Sequence, residues 1–430
     1  MPRNPAAGVA RDARRRDIWG AIGGGAAGRV GRARTPSPGN QQRGPVPVSV
    51  NLKPSRPGAS AVRQASLRAV DRAIGDLRRG DPVLLRPDTG PALLTLAAET
   101  ATDAALTRVE DLSGMVPRVL ITGQRAAALG IPEETGSAVV LEPEGPLTGD
   151  LLRGFADPLE PPPARDPAGI PRRAVAPGSR DGLMAATRIL KLARLLPAAA
   201  FVPVDRPIGA ERLSQTTDIL SVAAYDIDHY EQHAARSLAR VVAARVPLKG
   251  AEVTDIVAFR PNDGGQEHLA IVIGEPDVAR PVLVRLHSEC LTGDLLGSLR
   301  CDCGDQLRGA IAEIAAQGSG ILLYLQQEGR GIGLINKLRA YQLQDADIDT
   351  VDANEMLGYD ADERIYLPAA EMLARLGVGR VRLMTNNPEK LGQLAQHGID
   401  VVERVPHVFQ ANGHNEFYLR TKKERSGHLL

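Results

Sequence analysis

All three cysteines of this chain, Cys290, Cys301 and Cys303, fall within 14 residues in a C-x10-C-x-C pattern. An odd number of thiols so crowded makes a poor disulfide framework and a good metal cluster, and it fits a reducing, cytoplasmic compartment. Thiolates are soft ligands suited to zinc. Three protein ligands leave a fourth position open, which is what a catalytic zinc requires if it is to activate water for attack on an electrophilic carbon. His287 lies close enough in sequence to complete a closed, structural Cys3His site instead. Three unrelated thiols serving as small core filler are the blander reading. The setting supports metal: Cys301 and Cys303 just precede a helix predicted to begin near Gln306, and unpaired N–H groups at a helix start stabilise thiolates.

Polar residues crowd around the cluster. The stretch RLHSECLTGDLLGSLRCDCGDQL puts Arg285, Leu286, His287, Ser288 and Glu289 at a strand end beside the first thiol. Gln306 can offer a bidentate amide to a purine edge. In QQEGRGIGLINKLRAYQLQ, Glu328, Gly329 and Arg330 follow a predicted strand, where ligand loops sit in open sheets. A carboxylate there suits ligand N–H groups and a guanidinium suits phosphate. The glycines at 329, 331 and 333 do not form G-x-G-x-x-G and carry little weight alone. By spacing, Tyr341 shares a helix face with Leu334, Leu338 and Gln342 and reads as a core tyrosine. Asp362 and Arg364, in DADER, read as a solvated surface pair. TNNPEK turns a strand into a helix at Pro388, so backbone donors between Thr385 and Lys390, with the lysine charge, form a ready phosphate site.

Taken in order, and with DIDTVDANEMLGYDADER and a terminal GHLL, these segments resemble the diagnostic motifs of GTP cyclohydrolase II, most closely between 285 and 390. The resemblance implies zinc-dependent hydrolysis of GTP to 2,5-diamino-6-ribosylamino-4(3H)-pyrimidinone 5′-phosphate, formate and pyrophosphate, the first step of riboflavin synthesis. It implies one Zn2+ per subunit on Cys290, Cys301 and Cys303, Mg2+ accompanying the pyrophosphate, and a homodimer. GTP would be held by Arg285, Leu286, His287, Ser288, Glu289, Gln306, Glu328, Gly329, Arg330, Thr350, Thr385 and Lys390. Three readings change under it. Tyr341 becomes catalytic, near the attacked carbon; Asp362 becomes the general base; Arg364 becomes the group that attacks or stabilises the α-phosphorus. Ile365 stands where relatives often carry an acid, which bears on the orientation of that pair. One rival is a non-catalytic GTP-binding regulator with structural zinc, against which intact Tyr341, Asp362 and Arg364 speak. Another is a paralogue releasing a formylated intermediate, which Tyr341 disfavours.

The elements that must position these residues alternate. Strands are predicted over 281–287, 320–326, 380–386 and 399–405, and helices over 306–317, 334–344, 367–377 and 388–398. Such alternation argues an α/β domain over 245–430 with a largely parallel sheet.

Upstream, residues 61–235 read as an α+β domain. A helical repeat over Leu67, Val70, Ile74 and Leu77 stops at Gly80, and short strands PVLLR, ALLTLAAE and MVPRVLIT follow. Residues 142–178 read as loop, then GLMAATRILKLARLLPAA as helix and AFVPV as strand. This stretch resembles 3,4-dihydroxy-2-butanone 4-phosphate synthase, which is commonly fused ahead of GTP cyclohydrolase II. The acidic metal-binding motif of that family should fall near residue 85, where this chain reads LLRPDTGPALL, and no histidine precedes His229. Asp88, Glu99 and Asp103 read as solvated acids. Without clustered carboxylates or imidazole the synthase reaction has no evident catalyst. The expectation is an inactive scaffold kept for dimerisation or stability.

Residues 1–60 hold ten Gly and eight Pro, with eleven Lys/Arg against two Asp, too little apolar surface to offset chain entropy. A disordered basic tail is expected, with a nucleic-acid-binding arm and a misassigned start as competing readings. The glycine-broken IWGAIGGGAAG after Arg14–Arg16 is not expected to be an export signal. A net charge of +1 and 3% aromatics argue against nucleic acid as partner. No apolar run is long enough to cross a membrane.

Overall fold

Apolar runs bounded by turn residues become the strands of two mixed sheets. The computed structural model describes residues 59–131, 137–163, 166–173, 179–204, 213 and 217–407. The predicted tail up to residue 58 and the GHLL motif lie outside the described residues.

The first sheet holds β1 (Val83–Arg86), β2 (Ala92–Ala97), β3 (Arg118–Thr122), β4 (Ala138–Leu141), β5 (Arg172–Arg173), β6 (Ala199–Val204) and β7 (Ser221–Ala223), in the order β5-β4-β3-β6-β2-β1-β7. Its centre, β2 against β6, is antiparallel, and ALLTLA of β2 is buried throughout. Such a run needs cover on both faces. Helices Ala59–Arg79 and Arg180–Leu192 supply one core, through Val70, Leu77, Ile189 and Leu190 among others. Helices Asp103–Ser113 and Gly149–Ala156 supply the other. The latter helix lies inside the stretch expected to be loop. It is short, but Thr148 caps it by accepting Leu151 N at 3.2 Å, and Leu152 and Phe155 anchor it.

The second sheet comprises β8 (Ala239–Arg245), β9 (Thr254–Arg260), β10 (His268–Ile273), β11 (Val282–Ser288), β12 (Gly320–Leu325), β13 (Arg380–Met384) and β14 (Asp400–Val405), in the order β14-β13-β11-β12-β10-β9-β8. The four strands read from sequence pair in parallel, as expected of βα units. The meander β8–β9–β10 was not legible and joins antiparallel, so only half of the sheet is parallel. Helices Cys303–Ala316, Leu334–Gln344, Leu367–Arg375 and Glu389–Gln396 follow the order predicted. Among the described residues no helix is long and apolar enough to cross a membrane.

The two halves share a core. Ile332, Ala340, Leu343, Ala353, Leu357 and Tyr359 bury against Leu94, Leu96, Val119 and Ile121 of the first sheet. Polar contacts reinforce this junction. Arg339 pairs with Glu99 at 3.1 Å and Asp157 at 2.8 Å, with side chains 18%, 17% and 12% exposed. Glu99 also accepts Leu196 N at 2.8 Å. It is therefore no solvated acid, because its chain lies in the junction where little water reaches. Breaking such a pair from one side leaves carboxylates uncompensated. Arg339→Met should lower the unfolding free energy by on the order of 3 kcal/mol in urea titration. Adding Glu99→Gln should recover part of that loss, because it removes one orphaned charge.

Candidate active site

The parallel strands β11, β12 and β13 end side by side, and each carries predicted site residues into the loop beyond its carboxyl end, where open sheets bind ligands. From β11 the chain runs to Cys290, from β12 to Gln327–Arg330, and from β13 to Thr385–Lys390.

The three cysteine sulfurs lie within 4.8 Å of one another, with Cys290 and Cys301 at 3.7 Å. Cys303 is the first residue of helix Cys303–Ala316 rather than a residue before it. The helix starts a turn earlier than predicted, and the thiol still sits at its N-terminus. The loop from Cys290 passes so close that a Cβ on Gly293 would meet Cys301 Sγ at 2.8 Å and Cys290 Sγ at 3.1 Å. Only glycine fits there without displacing a sulfur.

His287 does not complete a Cys3His set. Its Nε2 faces Asp294 at 3.0 and 3.1 Å, and the same carboxylate accepts Cys290 N at 3.0 Å and the Tyr324 hydroxyl at 2.9 Å. Burial holds the imidazole pKa below its ordinary value, although Asp294 opposes this. Among the described residues the candidate ligands are the three cysteines alone. A donor set of three soft thiols with no fourth protein ligand fits a zinc site that is open on one side.

That cluster opens on a pocket of about 110 Å³ lined by Ser288, Glu289, Glu328, Gly329, Arg330, Tyr341, Thr350 and Arg364, among others. Tyr341 is half-buried, with its hydroxyl 3.5 Å from Thr292 Oγ1. The helix buries Asn336, Lys337, Ala340 and Leu343, while Leu338 and Gln342 are exposed. The core face thus lies beside the one that spacing suggested for Tyr341, which leaves the tyrosine over the pocket. Burial pushes its pKa up to about 12, so the phenol stays protonated at neutral pH. Gly329 and Arg330 both have left-handed backbone, at φ 65° and 60°. For arginine this costs about 1 kcal/mol or more, strain of the kind found where a loop is shaped for a ligand.

Arg364 lines the same pocket and pairs with Asp362 through Nε at 2.8 Å and through a second, shorter contact from Nη2. Burial works against ionisation of Asp362, yet the Arg364 charge and hydrogen bonds hold its carboxyl below the ordinary range. The pair is partly sheltered, not solvated, with Arg364 only 14% exposed. Ile365 turns its carbonyl to Gln327 Nε2 at 2.6 Å, so this position contributes backbone to the loop's anchorage.

Arg285, Leu286, Gln306, Thr385 and Lys390 lie outside this pocket's lining and form a neighbouring polar cluster. Arg285 donates to Gln306 Oε1 at 2.7 Å and to Met384 O at 3.0 Å; Lys390 donates to Leu286 O at 3.3 Å. Burial pushes the Arg285 guanidinium down to about 10, which leaves it cationic at neutral pH. Arg285 Nε, Ser288 Oγ, Gln327 Oε1 and Tyr366 OH are buried without a partner among the described residues. Buried polar atoms left open at one site are what a polar ligand satisfies.

Two functional residues escaped the sequence reading. Asp294 organises the first thiol loop, as described. Lys337 Nζ reaches Cys290 Sγ at 3.1 Å, Thr292 Oγ1 at 2.9 Å and Glu328 Oε1 at 2.8 Å. The Cys301 and Cys303 hydrogen bonds, helped by the Lys337 charge, hold the Cys290 thiol below its ordinary value. A lysine on the helix face that carries Ala340 was the available signal, since a charge on a core stripe needs a partner.

Comparison with known proteins places these features in context. The family model of GTP cyclohydrolase II matches residues 239–406. A GTP cyclohydrolase-2 of Azospirillum brasilense is 56% identical over 368 residues, covering 85% of this chain and 95% of that protein. One from Xylella fastidiosa (strain 9a5c) is 38% identical over 362 residues, covering 84% and 87%. One from Shigella dysenteriae is 53% identical over 193 residues, which is 45% of this chain but 98% of the relative. Among solved structures, a two-domain 3,4-dihydroxy-2-butanone 4-phosphate synthase from A. baumannii aligns at 16% identity over 79% of this chain and 99% of that chain. Its TM-score is 0.32, too low to argue from.

Proposed function

The chain belongs to the GTP cyclohydrolase II family, and from that premise we propose that it hydrolyses GTP to 2,5-diamino-6-ribosylamino-4(3H)-pyrimidinone 5′-phosphate, formate and pyrophosphate, opening riboflavin synthesis. The observation that carries this reading is one pocket walled by three clustered thiols, Tyr341, Glu328 and Arg364. Zinc held by Cys290, Cys301 and Cys303 would supply Lewis acidity and water activation at neutral pH.

The chain's own residues have separable tasks. Glu328, held by Lys337 and by Leu291 N at 2.6 Å, presents a fixed carboxylate to the guanine N–H groups. Ser288, Glu289, Gly329 and Thr350 complete the wall around the base and sugar, and Arg330 faces phosphate. Tyr341 keeps its proton and donates a hydrogen bond close to the reacting carbon as the imidazole ring opens. At the other end, Arg364 attacks or stabilises the α-phosphorus as its bond to the leaving pyrophosphate breaks, and Asp362, as general base, takes the proton lost by the attacking guanidinium or water. Arg285, His287, Leu286, Thr385 and Lys390 support the triphosphate end as the cluster behind β11 and β13; the Gln306 amide, expected to meet a purine edge, is engaged by Arg285 and Asp302 and braces that cluster instead. Mg2+ would enter with the triphosphate it neutralises.

Domain roles follow the same reading. Residues 245–430 carry the chemistry, in a cytoplasmic homodimer. Residues 61–235 are inactive as a synthase, because β1 and β2 close into a hairpin whose loop, Pro87–Pro91, offers only Asp88 as an acid. The full chain incubated with GTP, zinc and Mg2+ should release formate and pyrophosphate together. Tight GTP binding with neither product would overturn the reading in favour of a regulator with structural zinc.

A further inference from the structure

The segment Gly358–Tyr366, which carries Asp362 and Arg364, has no helix or strand to fix it. On one side lies the pocket with the thiols; on the other lies a cavity of about 810 Å³ lined by Tyr359, Asp360, Asp362, Glu363, Arg364 and by residues of the N-terminal half. Tyr359 and Tyr366 are buried at its two ends, and polar tethers hold the stretch between them. Several of those tethers come from residues upstream of 200, and others from Gln327, Arg330, Asn336 and Asn354. Thr122 Oγ1 donates to Gly358 O at 2.9 Å, Gln124 donates to Asp360, and the Tyr359 hydroxyl donates to Leu195 O at 2.6 Å.

Lys191 makes the central contact. Its Nζ lies 2.9 Å from Asp360 Oδ2 and 2.6 Å from Glu363 Oε1, with the lysine side chain 19% exposed. Glu363 Oε1 also accepts Asp360 N at 2.7 Å, so lysine and two acids close a ring around the bend that contains Asp362. Glu363 N in turn donates to Arg330 O at 2.9 Å, which links the bend to the opposite wall of the pocket. Charge makes the lysine necessary. Asp360, Asp362 and Glu363 place three carboxylates within four residues. Arg364 is engaged by Asp362, which leaves Lys191 to compensate the other two.

We propose that Lys191 is a positioning residue for the reaction, and that through it the N-terminal half forms a working wall of the active site. Lys191 touches no substrate; it fixes Asp360 and Glu363 so that Asp362 and Arg364 keep their pairing and aim. This rests on the reading of Asp362 and Arg364 given above.

The test uses full-length protein with GTP, zinc and Mg2+. Lys191→Met should lower kcat for pyrophosphate release by roughly 10- to 100-fold, the effect of misplacing reacting groups by about an ångström. KM for GTP and zinc content should stay within about threefold of the parent, since the thiols and Glu328 are untouched. Lys191→Arg should restore most of kcat, because a guanidinium can still bridge both acids. Asp360→Asn, at a half-exposed side chain, keeps the test open if Lys191→Met fails to fold; a several-fold loss in kcat at unchanged KM is expected. Either variant at parental kcat, or a loss that Lys191→Arg does not recover, would overturn the proposal. An inactive parent chain would instead overturn the function itself, so the two failures are distinct.

Discussion

Cys301→Ser is expected to empty the thiol cluster of zinc and to cut formate release by roughly 1,000-fold or more, because Lewis-acid assistance is worth several kcal/mol and each 1.36 kcal/mol is tenfold in rate. The geometry explains why this position is chosen. Cys301 Sγ lies 3.7 Å from Cys290 Sγ, and the Gly293 backbone passes close to both. A serine oxygen is a hard, weakly acidic donor in a set built for soft thiolates. Asp362 and Arg364 stand on a different loop, so pyrophosphate release should fall less than formate release. Zinc by elemental analysis, with formate and pyrophosphate followed in parallel, decides the matter. Full zinc and undiminished formate would show that the cluster is structural and that ring opening uses some other group.

What was legible in the sequence follows from where the chemistry sits. The cysteines, Glu328, Arg330 and Tyr341 come together in one pocket because each lies in the segment beyond a parallel strand or on the helix that follows it, and strand–helix alternation announces that frame; Arg364 reaches the same pocket from the loop before Leu367. The meander β8–β9–β10 was not announced. β8, ARVVAAR, alternates only weakly, and five of its seven residues are exposed. Tyr341 was misplaced by spacing alone because Leu338, an apolar residue 44% exposed, pulled the predicted core stripe round the helix.

The junction between halves was illegible for a different reason. Glu99 looks like any surface acid until the fold brings Arg339 to it from 240 residues away. Lys191 likewise reads as the polar side of an amphipathic helix, and its partners Asp360 and Glu363 lie in a loop without periodicity. Pairings across such distances leave no local pattern. They also bear on what the N-terminal half does. The Shigella dysenteriae relative aligns almost entirely within 45% of this chain, whereas the Azospirillum brasilense relative spans 85% of it. In this longer architecture the faces of Leu334–Gln344 and Thr350–Met356 turn toward the first sheet and bury there, so the upstream half is built into the fold of the downstream one.

Lys337 offers the sharpest test of the buried charges. Lys337→Met is expected to lower stability by roughly 3–5 kcal/mol, the cost of leaving a buried charge without its partner. Its side chain and that of Glu328 are 10% and 5% exposed, so solvent cannot take over the pairing. Methionine fills a similar volume, which confines the loss to charge and hydrogen bonds rather than a cavity. Two anions lean on this one ammonium, Glu328 and the Cys290 thiolate, and they can be separated. Adding Glu328→Gln should return more than half of the lost stability while leaving GTP turnover abolished, since the carboxylate proposed to hold guanine is gone. Chelation addresses the other anion: bound zinc would neutralise Cys290, so the Lys337→Met penalty should be larger in chelated protein than in zinc-loaded protein. Urea unfolding of the parent, the single and the double variant, each with and without chelator, measures all of this. A single-variant loss below about 1 kcal/mol, the range of an exposed pair, would mean that water reaches Glu328 in solution and that its orientation depends on the substrate.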